Sequence, residues 1–243
     1  MLSSTAATRW PWVMLPARTV LFFLFQALIA VGFLLAGSAA AWTASAAWWP
    51  MTVTLTNLVC LALLTRMYRQ EGCRFWDIFR IDRKHWKGDL LALLGVLLVT
   101  GPVAMLPGNL LATALFGDSM APMKQFLVPL PALGIFTAIL LFPVTQGLAE
   151  LSTYFLYVMP RLEKLTGKPW LAYGLASFFL GIQHMMAPLL FDGRFMLWRA
   201  LMFIPFAFLI GAVLKWRPRL LPYVAVVHIL MDMATGAMYL MPM

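Results

Sequence analysis

Acidic side chains are scarce in this chain: 9 Asp and Glu stand against 18 Lys and Arg in 243 residues, and charged residues make up only 11%. A soluble globular domain carries about 25% charged residues. That class is excluded, and 63% hydrophobic residues point to an integral membrane protein. Only 2 cysteines occur. Cys60 falls within an apolar run and Cys73 within a basic stretch, so no disulfide framework is expected. No repeat, low-complexity tract or long polar linker interrupts the sequence.

Charge-free stretches place the membrane spans, because about 20 apolar residues are needed to cross. None of residues 19–65 is charged, enough for two helices that turn near Ser45 to Pro50, where Trp48 and Trp49 suit an interfacial belt. Further spans are expected at Leu90 to Leu115, Leu127 to Met159, Trp170 to Leu190, Phe195 to Leu214 and Leu220 to Leu240. The expected fold is therefore all-α, a polytopic transmembrane helical bundle of about seven spans. The apolar run leading to A-G-S-A-A-A at Ala36 to Ala41 also resembles a signal peptide. Its length, and the span that follows closely, favour a retained anchor.

The net charge of +9 raises the question of a nucleic-acid partner, and its distribution answers it. Arg9 and Arg18 precede the first span, seven cations from Arg66 to Lys87 follow the second, Arg161, Lys164 and Lys168 follow the fourth, and Lys215, Arg217 and Arg219 follow the sixth. These loops hold 15 of the 18 basic residues, and the opposite side holds Lys124, Arg194 and Arg199. That asymmetry places the N-terminus in the cytoplasm, with the lipid bilayer and no nucleic acid as the partner of the positive charge. The setting is a plasma membrane of bacterial type. In the longest basic loop, Cys73 to Asp82 mixes Phe75, Trp76, Ile78 and Phe79 with charges, as expected of a short interfacial helix. His85, among Arg83, Lys84 and Lys87, reads as a solvated loop histidine.

Residues 1–125 offer N-terminal transmembrane helices and this basic loop. Residues 126–243 hold the carboxylates and histidines that fall within apolar spans: Glu150, His184, His228 and Asp232. Such groups are costly in hydrocarbon and mark functional sites by default. Gln146 and Tyr154 stand four residues either side of Glu150, and Pro143 interrupts the same span. His228 and Asp232 are also four apart, so they share a helix face. Singly, each has a plain structural explanation: a hydrogen-bonded carboxyl, a satisfied interior histidine, a local ion pair. Together they are the equipment for hydrolysing an amide, since a carboxylate and a histidine can deprotonate water while a second histidine and a polar neighbour stabilise an oxyanion. Glu150, His184 and His228 would equally serve a divalent metal such as zinc, although no cofactor is required.

In order, A-E-L-S-T-Y (149–154), L-G-I-Q-H (180–184) and H-I-L-M-D (228–232) resemble the three motifs of the CAAX prenyl protease and bacteriocin-processing (CPBP, or Abi) family: E-E-x-x-x-R, F-x-x-x-H and H-x-x-x-N/D. The likeness spans roughly residues 125–243. It implies that Glu150 and His184 activate water and that His228 with Asp232 stabilise the oxyanion, in an intramembrane endopeptidase acting on a peptide or membrane-protein substrate. Glu150 falls on the second glutamate of the doublet, Ala149 on the first, Tyr154 on the motif's arginine and Leu180 on its phenylalanine. These departures keep two other classes in view: an inactive scaffold that binds a peptide or protein in the same cavity, and a proton-coupled transporter with a Glu, His and Asp relay. The transporter ranks last, since no inverted repeat is visible.

Overall fold

The computed structural model describes residues 4–240, which form helices joined by short turns. In order these are α1 (Ser4–Leu35), α2 (Ala41–Ala47), α3 (Trp49–Gln70), a 3-10 turn (Phe75–Phe79), α4 (Trp86–Phe116) and α5 (Ala121–Lys124). One continuous rod then contains α6 (Ala132–Phe136), α7 (Phe142–Leu151) and α8 (Met159–Thr166), joined by π-helical stretches at Thr137–Leu141 and Ser152–Val158. After it come α9 (Pro169–Ile182), a 3-10 turn (Gln183–Met186), α10 (Gly193–Leu201), α11 (Ile204–Trp216) and α12 (Leu221–Ala237).

Six helical segments are long and apolar enough to cross a membrane: Arg9–Leu35, Trp49–Gln70, Trp86–Phe116, Ala132–Thr166, Gly193–Trp216 and Pro218–Leu240. Leu91, Leu98 and Leu110 of α4 point outward, as lipid-facing residues do. The stretch expected as a further span at Trp170 to Leu190 is a 14-residue helix of about 21 Å. The 3-10 turn that continues it adds about 8 Å. Ion pairs form between Glu71 and Arg161, between Glu163 and Lys215, and from Asp89 to Arg217 and Arg219. Beyond the 3-10 turn, the Gln26 side chain accepts from the Leu189 N–H and donates to the Leu189 carbonyl, both at 2.8 Å.

The π-helical stretches have a local cause. Each is followed by a proline, Pro143 and Pro160, whose ring has no N–H and clashes with the carbonyl four residues back. A widened turn removes that clash without ending the helix. The carbonyl of Leu156, released by Pro160, accepts instead from the Tyr68 hydroxyl at 2.9 Å and from Arg161 at 3.1 Å. Close crossings rest on small residues, as is usual between helices in lipid. A Cβ on Gly147 would lie 2.5 Å from Ile229 Cγ1 and 2.9 Å from the Ala225 carbonyl oxygen, so α7 and α12 touch backbone to side chain.

The basic loop contains the short helix expected there, reduced to Phe75–Phe79, with Phe75 buried against Tyr68 and Trp76 exposed. His85 is exposed and its Nδ1 lies 2.6 Å from Asp82 Oδ2. The His85 hydrogen bond, helped by the Lys84 N–H, holds the Asp82 carboxyl below its usual range. Both cysteines are free.

Two basic residues assigned to loops are buried inside helices among the described residues. Arg18 sits inside α1, not ahead of the first span, and is completely buried. Arg199 lies within α10 and is 8% exposed. The first helix is longer than the charge-free run, because apolar residues from Trp10 to Leu15 continue it on the other side of Arg18.

Candidate functional site

α7 presents Gln146 and Glu150 one turn apart, and the 3-10 turn after α9 presents Gln183 and His184. α12 presents His228 and Asp232, again one turn apart. α1 and α3 add Arg18 and Asn57. The π-helical stretches on both sides of α7 let its polar face turn inward between two prolines.

Glu150 is 3% exposed and its two oxygens have different surroundings. Oε1 accepts from Gln146 Nε2 and from Gln183 Nε2, each at 2.7 Å, and has Arg18 Nη2 at 3.7 Å. Oε2 accepts no such amide and faces His228 Nε2 at 3.7 Å. One oxygen is held and the other is free to work.

Arg18 sets that asymmetry. A guanidinium only donates, so its partners must be oxygens. Nε donates to Gln183 Oε1 at 2.8 Å, Nη1 to Asn57 Oδ1 at 2.6 Å and Nη2 to Gln146 Oε1 at 2.9 Å. The Tyr154 hydroxyl donates to the same Gln183 oxygen at 3.1 Å. With their oxygens claimed, both glutamines must turn their NH2 groups toward Glu150. Tyr154 thus reaches the network from the same rod as Glu150, and the guanidinium reaches it from another helix.

The histidines complete one cluster. His184 Nδ1 lies 3.0 Å from the Gly181 carbonyl, which accepts only from an N–H, so in the neutral ring Nε2 carries the lone pair. That Nε2 is 3.8 Å from Glu150 Oε1. His228 Nε2 is 3.4 Å from Asp232 Oδ2, and that oxygen has no hydrogen-bond partner among the described residues. Separations of 3.7–3.8 Å are too long for direct hydrogen bonds and are of a length that one bridging water can span. Glu150, His184, His228 and Asp232 all border one cavity of about 280 Å³, whose other walls are largely apolar.

Ala149 is fully buried and does not line the cavity; the neighbouring Glu150 does. Adjacent positions on a helix differ by about 100° in direction. Among the described residues no three His, Cys, Asp or Glu are arranged to hold a metal. Glu150 Oε1 is already taken by two amides, with a guanidinium close by.

Sequence reasoning missed Arg18, Asn57 and Arg199 and gave Gln183 no role. The available signals were polar side chains beside or inside apolar runs. No family model, curated protein or solved structure matches the chain.

Proposed function

We propose that this protein is an intramembrane endopeptidase of CPBP type, hydrolysing a peptide bond with water activated by Glu150 and His184. The observation that supports this reading most is the convergence of one carboxylate and two imidazole nitrogens, at 3.7–3.8 Å, on a single cavity in an apolar interior. Water held at the Glu150 carboxylate, oriented by the His184 Nε2 lone pair 3.8 Å from Oε1, loses a proton to Oε2, the oxygen no amide holds, as its own oxygen attacks the substrate carbonyl. His228 donates to the oxyanion through Nε2–H, and Asp232 assists in its protonated form, since an ionised carboxylate would repel that charge. The proton on Glu150 then passes to the leaving amine. Arg18, Gln146 and Gln183 act through Glu150 as positioning residues. No step needs a metal.

In proteoliposomes, the wild type is expected to cleave members of a peptide library that a known CPBP protease also cleaves. His184→Ala and His228→Ala should each abolish cleavage, and the double variant should lose little more, because residues acting as a unit are non-additive. Additive, partial losses would sink the shared-site reading. A second reading, an inactive peptide-binding scaffold, draws on the same network: a carboxylate bound by two amides beside an arginine is also a structural lock. Silence of the wild type toward a library the control protease cleaves would favour it.

The same proposal includes a topology. α9 and its 3-10 turn together measure about 29 Å, close to the hydrocarbon thickness of about 30 Å. α9 therefore serves as a seventh crossing between the six long helices. With Arg18 and Arg199 removed from the loop count, the basic residues divide fourteen to two. This supports an N-terminus in the cytoplasm of a bacterial-type plasma membrane and a C-terminus outside. A reporter active only in the cytoplasm, fused after Met243, should stay silent; a strong signal would remove one crossing.

A further inference from the structure

We infer that Arg199 is an anion-binding group, and that the cavity accepts an apolar ligand ending in a carboxylate which pairs with this guanidinium. The inference rests on the cavity being where substrate binds, and not on what is done to the substrate there. Arg199 is 8% exposed, borders the cavity, and has no carboxylate within ion-pair distance among the described residues. A buried charge without a counter-ion is costly. The other buried arginine differs, because Arg18 has Glu150 beside it and three amide oxygens around it.

The donors of Arg199 are only partly used. Nε donates to the His184 carbonyl at 3.1 Å and Nη2 to the Ala187 carbonyl, while Nη1 has only the Met202 sulfur at 3.7 Å. A guanidinium carries five N–H groups. By count, one N–H on each Nη has no partner among the described residues, and two Nη N–H groups can grip a carboxylate in a fork. The Phe126 and Trp198 rings are each centred 5.6 Å from its central carbon. The charge is single and, among the described residues, no second Lys or Arg borders the cavity, which suits a carboxylate better than a doubly charged phosphate. Val96, Leu97, Phe206 and Met231 line the space an apolar body would fill. Because Arg199 holds the carbonyl of His184 itself, a carboxylate bound there lies one residue away from the proposed water site.

Two sources share this chemistry, a peptide C-terminus and a free fatty acid. Calorimetric titration of the full-length protein in nanodiscs would use two matched pairs: acetyl-trileucine acid against its amide, and dodecanoic acid against dodecanamide. We expect the acid of at least one pair to bind about tenfold more tightly than its amide. Arg199→Gln should bring that ratio to about one with amide binding retained, and Arg199→Lys should keep part of it. A ratio confined to the peptide pair assigns the site to a peptide C-terminus; one confined to the dodecanoic pair assigns it to a fatty acid. Each ratio is internal to one variant, so a general loss of folding does not mimic the effect, and the wild-type ratio alone decides if Arg199→Gln does not fold. Equal binding of acid and amide in both pairs, no binding of any probe, or a preference that survives in Arg199→Gln overturns the inference. An intact acid preference in a protein that cleaves nothing would sink the hydrolase reading and leave the anion site standing.

Discussion

Glu150→Gln is expected to lower peptide hydrolysis by about 10²–10⁴-fold, the range a positioned general base contributes. The substitution keeps the size of the side chain. A glutamine oxygen at the Oε1 position can still accept from Gln146 and Gln183, which hold it at 2.7 Å. What disappears is the free, basic oxygen facing His228. Arg18 keeps its three amide partners, so helical content and elution should remain those of the wild type. Steady-state cleavage in proteoliposomes checks this. Retention of full activity by a folded Glu150→Gln protein would end the assignment of Glu150 as base.

Arg18→Ala should be the most destabilising single change at the site, by about 3–5 kcal/mol, the cost of removing one partner from a buried charged cluster. It leaves the Glu150 carboxylate without its cation, and the oxygens of Asn57 and Gln146 without their donor. Arg18→Lys should recover only a small part of this, because an ammonium is a point charge and cannot serve three oxygens fixed at the corners of a fork. Thermal unfolding in detergent measures the effect. Full stability in Arg18→Lys would mean that charge alone, without the fork, is what the site requires.

Glu150, His184, His228 and Asp232 were legible in the sequence because an ionisable group inside a long apolar window is conspicuous. Their convergence was not, since periodicity relates residues on one helix and says nothing about which helices meet. Arg18 was hidden by the procedure that locates spans: a run that starts after the last charge places that charge outside, even when Trp10 to Leu15 are apolar beyond it. Arg199 fell within an expected span at Phe195 to Leu214 and was still counted with the loops, as any cation near a span end is. Asn57 stood among threonines in α3 and offered no charge to mark it. The π-helical stretches were only half visible. Pro143 announced an interruption, but a proline does not say whether the chain will break, kink or widen.

The residue that organises the site precedes its amide partners in the chain. Arg18 waits for Asn57, Gln146 and Gln183, which follow it by 39, 128 and 165 residues. At translation rates of about 5–20 residues per second, the last of them emerges about 8–33 s after Arg18. Through that interval the first helix carries a charge that costs about 2.5–3.5 kcal/mol at mid-bilayer, set against the strongly apolar turns on either side of it. Insertion of this chain is thus a race between early commitment of α1 to lipid and late arrival of its polar partners. A pause in translation anywhere between Asn57 and Gln183 lengthens the time α1 spends waiting.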